Sequence, residues 1–386
     1  MRRIRIGIIG GNAWSEWGIL PVLFGPDASA PPDEGAWWSR RPTASAGIRW
    51  QAPYRAEVLA LCESDEEKRA RIAATYRIAA QYSDVQTMLR ENSLDAIFCE
   101  DASSQNLPEL VAAMARAGAK SLWLGGAPAP TAAEALELAH WAAAYGVRVW
   151  CARNVRRAAA HRAALQLVKR GEIGDVTALS LRWSTPFCPA PDADCAARAA
   201  TFAALDLLLA CAGGTPVNCL LSEAKSTSHL WLQFAGGATA TAIFASGDNW
   251  NSPLPRLEIC GTQGRFLVCE AGRRMGFFQP HEAARWIEPP GLAAHISAAN
   301  VNGLAEDIKA FLGECASQES KPDNADWLEV ARVLASGEAA LRARETNQVA
   351  QVERLHFPDN QNPNNNNTRS ASTPAATAPL TLPLAL

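Results

Sequence analysis

The chain has 386 residues, of which 48% are hydrophobic and 19% charged, with a formal net charge of −3. That length holds two ordinary domains with cores of their own, and the small net charge offers no basic surface of the kind nucleic acids require. No run approaches the ~20 apolar residues of a membrane span. The start, Met1-Arg2-Arg3, is shaped like an export signal, but the apolar run Ile4–Ile9 is too short for a signal core and leads into Gly10-Gly11-Asn12. A cytoplasmic location is therefore expected. The 10 cysteines form no C-x-x-C pair, and Cys62, Cys99, Cys260 and Cys269 fall inside predicted strands, so they read as buried thiols in a reducing compartment.

The first 150 or so residues alternate short apolar runs with helical patterns. Strands are predicted at Ile4–Ile9, Glu57–Cys62, Asp95–Cys99, Ser121–Leu124 and Val147–Cys151. Helices are predicted at Trp14–Leu23, Asp65–Tyr76, Leu107–Ala117 and Thr131–Tyr145, with an acidic first turn after Asp65, Thr131 as an N-cap, and Gly118 and Gly146 as stops. This alternation predicts βαβ units and a doubly wound parallel sheet. Beyond residue 152 the pattern changes. A helix at Ala158–Lys169 precedes strands at Val176–Ser184, Val217–Ser222, His229–Phe234, Ala238–Ala245, Arg256–Cys260 and Arg265–Val268. Helices at Gly303–Glu314 and Asp326–Leu341 close the series. The fold class is thus α/β over 1–151 followed by an α+β domain over 152–357 with an open, mostly antiparallel sheet. From Pro358 the chain is rich in Asn, Thr, Pro and Ala, too polar to bury a core, and 358–386 is expected to be a disordered tail.

The loop after the first strand carries the first functional signal. Gly7-Ile8-Ile9-Gly10-Gly11-Asn12-Ala13-Trp14-Ser15 stands between a strand and a helix, where a dinucleotide's pyrophosphate is held by backbone N–H groups at a helix N-terminus. Gly10 supplies the tight turn. Asn12 stands where a second glycine lets the backbone approach the pyrophosphate, and a side chain there crowds it, although Asn tolerates left-handed backbone. Glu63 ends the second strand, placed to accept both ribose hydroxyls and to repel a 2′-phosphate, which favours NAD over NADP. The plainer reading makes Glu63 part of the acidic first turn of the next helix. Gly10 and Glu63 are 53 positions apart where an unadorned fold needs about 20, so roughly 30 residues, around Gly25–Pro53, are inserted. The insert holds Trp37, Trp38 and Trp50. These aromatics suit a protein partner, and packing onto their own domain accounts for them at least as well.

At this point the chain resembles the Gfo/Idh/MocA family, the glucose–fructose oxidoreductase and inositol dehydrogenase group, from about Arg3 to Leu355 without the insert. Besides the Rossmann-type loop, Asn154-Val155-Arg156-Arg157 resembles the family's N-x-R segment and Gly171-Glu172-Ile173-Gly174 its turn into the second domain. Leu257-Glu258-Ile259-Cys260-Gly261-Thr262-Gln263-Gly264 resembles its L-E-I-x-G-T-x-G strand pair, and Leu304–Leu312 and Asp326–Leu341 its closing helices. The resemblance implies NAD or NADP as cofactor, a carbohydrate-like ligand and a homo-oligomer formed through the second sheet. It also implies hydride transfer assisted by the lysine of an E-K-P segment and a histidine of a D-x-x-x-H segment. Here the first segment aligns with Gly125-Gly126-Ala127 and the second with Ala199 to Ala203, so Gly126 and Ala203 stand in place of the Lys and the His. Realignment does not recover them: the chain has no Lys between Lys120 and Lys169 and no His between His161 and His229. Lys120, some six residues too early, is ~20 Å away along a strand.

The loop gives Gly10, Gly11, Asn12 and Ala13, with Glu63, as cofactor-binding candidates, and the resemblance adds Asp101 and Ser103, which replace a T-P-N-type loop. Candidates for the ligand are Asn154, Arg156, His161 and Asp206. His161 also reads as an exposed helical residue beside Arg162, and Asp206 as a helix residue paired with an arginine. No metal site is expected. Two functions follow: a catalytically silent relative that binds NAD(P), or an oxidoreductase using substituted groups.

Overall fold

The computed structural model describes residues 2–11, 18–24, 54–100, 105–185, 193–224, 227–246, 255–269, 274–281, 283–287, 303–317 and 324–355. The insert at 25–53, the tail at 358–386, and Asn12, Ala13, Asp101 and Ser103 all lie outside these residues. Residues 1–353 form one compact unit containing both sheets.

The first sheet has six parallel strands: β1 (Arg2–Ile9), β2 (Tyr54–Cys62), β3 (Ala80–Tyr82), β4 (Ala96–Cys99), β5 (Ser121–Leu124) and β6 (Arg148–Cys151), in the order β3-β2-β1-β4-β5-β6. The order reverses at β1, and the crevice beyond the strand ends at such a switch point is where open α/β sheets bind ligands. Strand β1 is entirely buried over its last four residues, as a central parallel strand covered on both faces must be.

Local chemistry sets the helices of this half. In α2 (Glu66–Tyr76), Asp65 is the N-cap and accepts from the Lys68 N–H at 3.0 Å. Helix α4 (Leu107–Ala117) is capped by Asn106, buries Leu107, Leu110, Val111 and Met114 on one stripe, and stops at Gly118, φ 82°. Helix α5 (Ala132–Tyr145) starts on Thr131 and stops at Gly146, φ 65°. These are the start and stop signals legible in the sequence. The periodicity predicts neither β3 nor α3 (Val85–Glu91), both too short to carry a period. Helix α1 spans Leu20–Phe24.

Five described helices and a mixed sheet make up the second half: α6 (Asn154–Arg157), α7 (Ala159–Lys169), α8 (Ala193–Ala212) and, after the strands, α9 (Leu304–Ser317) and α10 (Asn324–Thr346). The second sheet has nine strands: β7 (Val176–Thr185), β8 (Pro216–Ala224), β9 (Thr227–Phe234), β10 (Thr239–Ser246), β11 (Arg256–Gly261), β12 (Arg265–Cys269), β13 (Arg274–Phe278), β14 (Arg285–Ile287) and β15 (Ala350–Gln351). All its pairings are antiparallel except β7 with β10. The expected class, a doubly wound parallel sheet followed by an open, mostly antiparallel one, is what the chain forms.

Two packing features matter for the site. Helix α9 lies against the first sheet: Leu304, Ile308, Phe311 and Leu312, on one helical stripe, join a cluster with Ile4, Ile6, Phe98 and Trp123. Gly303, φ 80°, precedes α9, and any side chain there would run into the backbone of Asn154 and Ala158, so α9 begins in direct contact with α6. The expectation that the cysteines are buried needs one correction. Cys62, Cys99, Cys211, Cys219 and Cys315 are buried, whereas Cys151, Cys260 and Cys269 are partly exposed, the last two because they fall on the outward phase of β11 and β12. Among the described residues no helix is long and apolar enough to cross a membrane, and no group of three His, Cys, Asp or Glu is placed to hold a metal ion.

Candidate functional site

The turn after β1 lies at the switch point. Gly10 has φ 96° and donates its N–H to the Cys62 carbonyl at 2.9 Å, tying the loop to the end of β2. A left-handed residue with nothing near its missing Cβ is required by the turn rather than by crowding. Gly11 is different. A Cβ there would stand 2.7 Å from Glu63 Oε2 and 2.9 Å from Ile72 Cδ1, so the loop and the β2 carboxylate are packed against each other. Glu63 lies before the Asp65 cap and outside α2. Its Oε1 accepts from the Asp65 N–H at 3.0 Å and from Ser64 Oγ at 3.2 Å, which orients the carboxylate with Oε2 toward Gly11.

The other strand ends meet the same crevice. Gly125 follows β5 and donates to the Cys99 carbonyl at 3.0 Å, while a Cβ on it would approach the Glu100 carbonyl to 2.7 Å. Gly126 has φ 67°, a conformation that β-carbon-bearing residues rarely adopt. Any L-residue at position 126, a lysine included, would have to take up that strained backbone. Lys120 precedes β5, at the opposite end of the strand from Gly125. Ala203, on α8, is half-buried one turn before Asp206.

Beyond β6 the sequence candidates form a cluster of charges. Arg156 Nη1 donates to Asp206 Oδ1 at 3.0 Å and to Glu329 Oε2 at 2.9 Å. Arg153 donates to the same Glu329 oxygen at 2.6 Å and to the Asp326 carbonyl at 2.6 Å, with Asp206 Oδ1 3.7 Å from its Nε. Asp206 is 3% exposed, and burial pushes its pKa up while the two guanidiniums pull it back. Burial also works against both arginines, but the carboxylates around them outweigh it and hold them charged. The reading of Asp206 as a helix residue paired with an arginine is what the structure contains. Asn154 opens α6, and its carbonyl accepts from the Ala158 N–H at 3.0 Å.

His161 requires a correction. It is fully buried rather than an exposed helical residue. Its place on α7 beside Ala160 and Ala164 puts it on the inner face, with Nδ1 2.9 Å from the Val155 carbonyl. Burial lowers its pKa to about 4, against the backbone carbonyls of Val155 and Pro255, which favour the charged form. At neutral pH it is an uncharged imidazole holding the α6–α7 junction.

One organising residue was not legible in the sequence. Asp307, on α9 and 0% exposed, accepts from the indole N–H groups of Trp123 at 2.8 Å and Trp150 at 3.1 Å, and from the Arg153 N–H at 3.3 Å. Arg157 Nε lies 2.9 Å from its Oδ1, with that guanidinium over the Trp150 ring at 4.8 Å. Asp307 thus joins β5, β6 and α6 to α9. An Asp in the first turn of a helix looks like an ordinary macrodipole residue, and its partners are 150 or more positions away.

Comparison with known proteins agrees with this architecture. No protein-family model matches the sequence and no curated protein matches it. Solved structures do. Levoglucosan dehydrogenase in complex with NADH and levoglucosan has 16% identity and a TM-score of 0.71, covering 92% of this chain and 100% of that one. An oxidoreductase from Agrobacterium radiobacter in complex with NAD+, L-tartaric acid and magnesium has 13% identity and a TM-score of 0.69, covering 90% and 98%. The myo-inositol 2-dehydrogenase of Lactobacillus plantarum has 15% identity and a TM-score of 0.68, covering 91% and 100%. The chain has the two-sheet fold of these Gfo/Idh/MocA-type oxidoreductases; at such identity the likeness establishes the fold, and function has to be argued from the site.

Proposed function

We propose that this protein binds a nicotinamide dinucleotide at the β1 turn and is a catalytically silent relative of the sugar and polyol oxidoreductases whose fold it has. The observation that carries the binding half is the apposition of Gly11 and Glu63. The backbone at Gly11 passes close against Glu63 Oε2 at the end of β2, the strand end where that carboxylate would meet the ribose hydroxyls of a dinucleotide. A carboxylate acceptor there suits the free ribose hydroxyls of NAD, and a 2′-phosphate would be repelled by Glu63. The dinucleotide, when bound, supplies hydride chemistry. The chain's own part in such chemistry would be to orient an oxygen and move its proton, typically contributing about 10²–10⁴ in rate.

The residues around the crevice support the silent half. Gly126 and Ala203 carry no ionisable group, Lys120 is at the far end of β5, and His161 is buried and uncharged. Arg153, Arg156 and Asp206 are engaged with one another and with Glu329. None of these offers a proton acceptor near neutral pH beside the strand ends. A cytoplasmic location belongs to the same reading, supported by the free thiols, as does self-association through the outer face of the nine-stranded sheet.

Calorimetric titration with NAD+ and NADP+ tests the shared premise. NAD+ is expected to bind below millimolar concentration and NADP+ more weakly. Absence of heat with either at millimolar concentration removes the dinucleotide reading, and sustained turnover of a sugar or polyol by the NAD-loaded protein replaces silence with an oxidoreductase using substituted groups.

A further inference from the structure

The outward face of the nine-stranded sheet carries an unmatched pair of charges. Arg182 on β7 and Arg256 on β11 are Cα partners in that antiparallel pairing, and both are exposed. Leu181 and Leu257, the adjacent residues, are also partners and are 0% exposed on the inner face. The two arginines therefore leave the sheet on the same side, with their Cβ atoms roughly 5 Å apart. Like charges directly opposite each other across a ladder are destabilising. Among the described residues nothing offsets this, because neither guanidinium has a hydrogen bond or an ion pair there.

The other arginines of this face are each accommodated. Arg265 pairs with Glu258 at 3.1 Å and stands over the Phe278 ring at 4.5 Å. Arg274 stands over the Trp286 ring at 4.4 Å. It also extends the positive row: Cys269 follows Val268, the partner of Leu257, and is itself the partner of Arg274. Arg182, Arg256 and Arg274 thus share one cross-strand row. Over β7 and β10 to β13, Glu258 is the one carboxylate among the described residues of the outward face, and Arg265 engages it. On a chain with a net charge of −3, this corner is positive.

A guanidinium presents paired N–H donors that match phosphate oxygens two at a time. Two of them rooted on adjacent strands can share one phosphoryl group, whose charge of about −1.5 to −2 at neutral pH removes the repulsion between them. A carboxylate is a monoanion with two oxygens in one plane, and it leaves one positive charge unmatched. We propose that Arg182 and Arg256 form a binding site for a phosphoryl group, either inorganic phosphate or a small phosphate monoester. The site belongs to the second sheet and does not depend on the dinucleotide reading.

The test is calorimetric titration and phosphorus NMR of the full chain with inorganic phosphate, glycerol 3-phosphate and acetate, in low-salt buffer because salt screens exposed charges. The wild-type protein is expected to bind phosphate or the monoester at millimolar concentration or below, and acetate much more weakly. Tighter binding of the monoester marks a phosphorylated small molecule as the occupant; equal or tighter binding of phosphate marks the free anion, and both uphold the site. Arg182→Gln and Arg256→Gln are each expected to weaken binding several-fold, and the double variant to abolish it. Both positions are exposed, so folding is not at stake. Without phosphate each variant is expected to melt slightly above the wild-type protein, since the opposed charge is gone, and added phosphate to raise the wild type alone. No binding of either phosphoryl compound, equally tight acetate, or unchanged affinity in the double variant each overturns the proposal. The same face is the one proposed to self-associate, so the titration is repeated at tenfold higher protein concentration. Binding that disappears there shows that a second copy covers the pair, and overturns the proposal as well.

Discussion

The carboxylate of Glu63 occupies the space that a side chain on Gly11 would need, 2.7 Å from where the Cβ would stand. Gly11→Ala must therefore push Glu63 or Ile72 aside. We expect it to weaken NAD+ binding tenfold or more, while Glu63→Gln weakens NAD+ less and narrows the preference over NADP+. Calorimetric titration of both variants checks this; NAD+ affinity unchanged in Gly11→Ala would show that the loop and Glu63 do not act together.

Gly126 is fixed by its backbone rather than by crowding. At φ 67° an L-residue costs about 1–2 kcal/mol, so Gly126→Ala and Gly126→Lys are both expected to lose that much stability in urea denaturation. Equal losses locate the cost in the backbone. Wild-type stability in Gly126→Lys would mean that the turn accepts a lysine freely.

The carboxylate of Asp307 anchors three elements at once. Asp307→Ala leaves the Trp123 and Trp150 indole N–H groups without their acceptor and the part-exposed Arg157 without its partner, and each buried donor so stranded costs about 1–3 kcal/mol. Asp307→Asn keeps an acceptor and is expected to lose less. Denaturant melts followed by tryptophan emission report both the loss and the environment of Trp123 and Trp150; a loss under about 1 kcal/mol in the Ala variant would deny Asp307 its anchoring part.

Much of this arrangement was legible in the sequence, and what was not has physical reasons. The elements with a long period or a clear cap, such as α4 with Gly118 and α5 between Thr131 and Gly146, stand where the pattern puts them. The Gly10 turn and Glu63 were readable because each stands at the end of a strand of the βαβ unit, although 53 positions separate them where an unadorned unit has about 20. Asp307 was not, because Trp123 and Trp150 reach it only after the chain has crossed the second sheet and returned. Arg153 and Glu329 were missed for the same reason, with more than 170 positions between them. His161 was misread because Arg162 beside it suggests an exposed face, whereas a helix turns by ~100° per residue and adjacent positions need not share a face.

His161 gives the protein an acid-sensitive limb. Its folded pKa, about 4, lies below the unfolded value, so the buried neutral ring contributes stability above pH ~6.5 that is lost as pH falls toward 4. The loss between pH 7 and 5 is expected to be about 2 kcal/mol. His161→Gln should flatten that limb relative to the wild-type protein, as measured by urea melts at the two pH values. An equally steep limb in the variant would assign the acid sensitivity to other groups.

The central claim, a bound dinucleotide without hydride transfer, can be read in one measurement of NADH emission. The protein is mixed with NADH and a panel of oxidised sugars and polyols, and the nicotinamide fluorescence is followed. A change in emission on binding is expected, with no decay beyond the protein-free control. Decay that depends on protein and on the oxidised sugar would show hydride transfer and contradict it, and so would emission that never departs from that of free NADH.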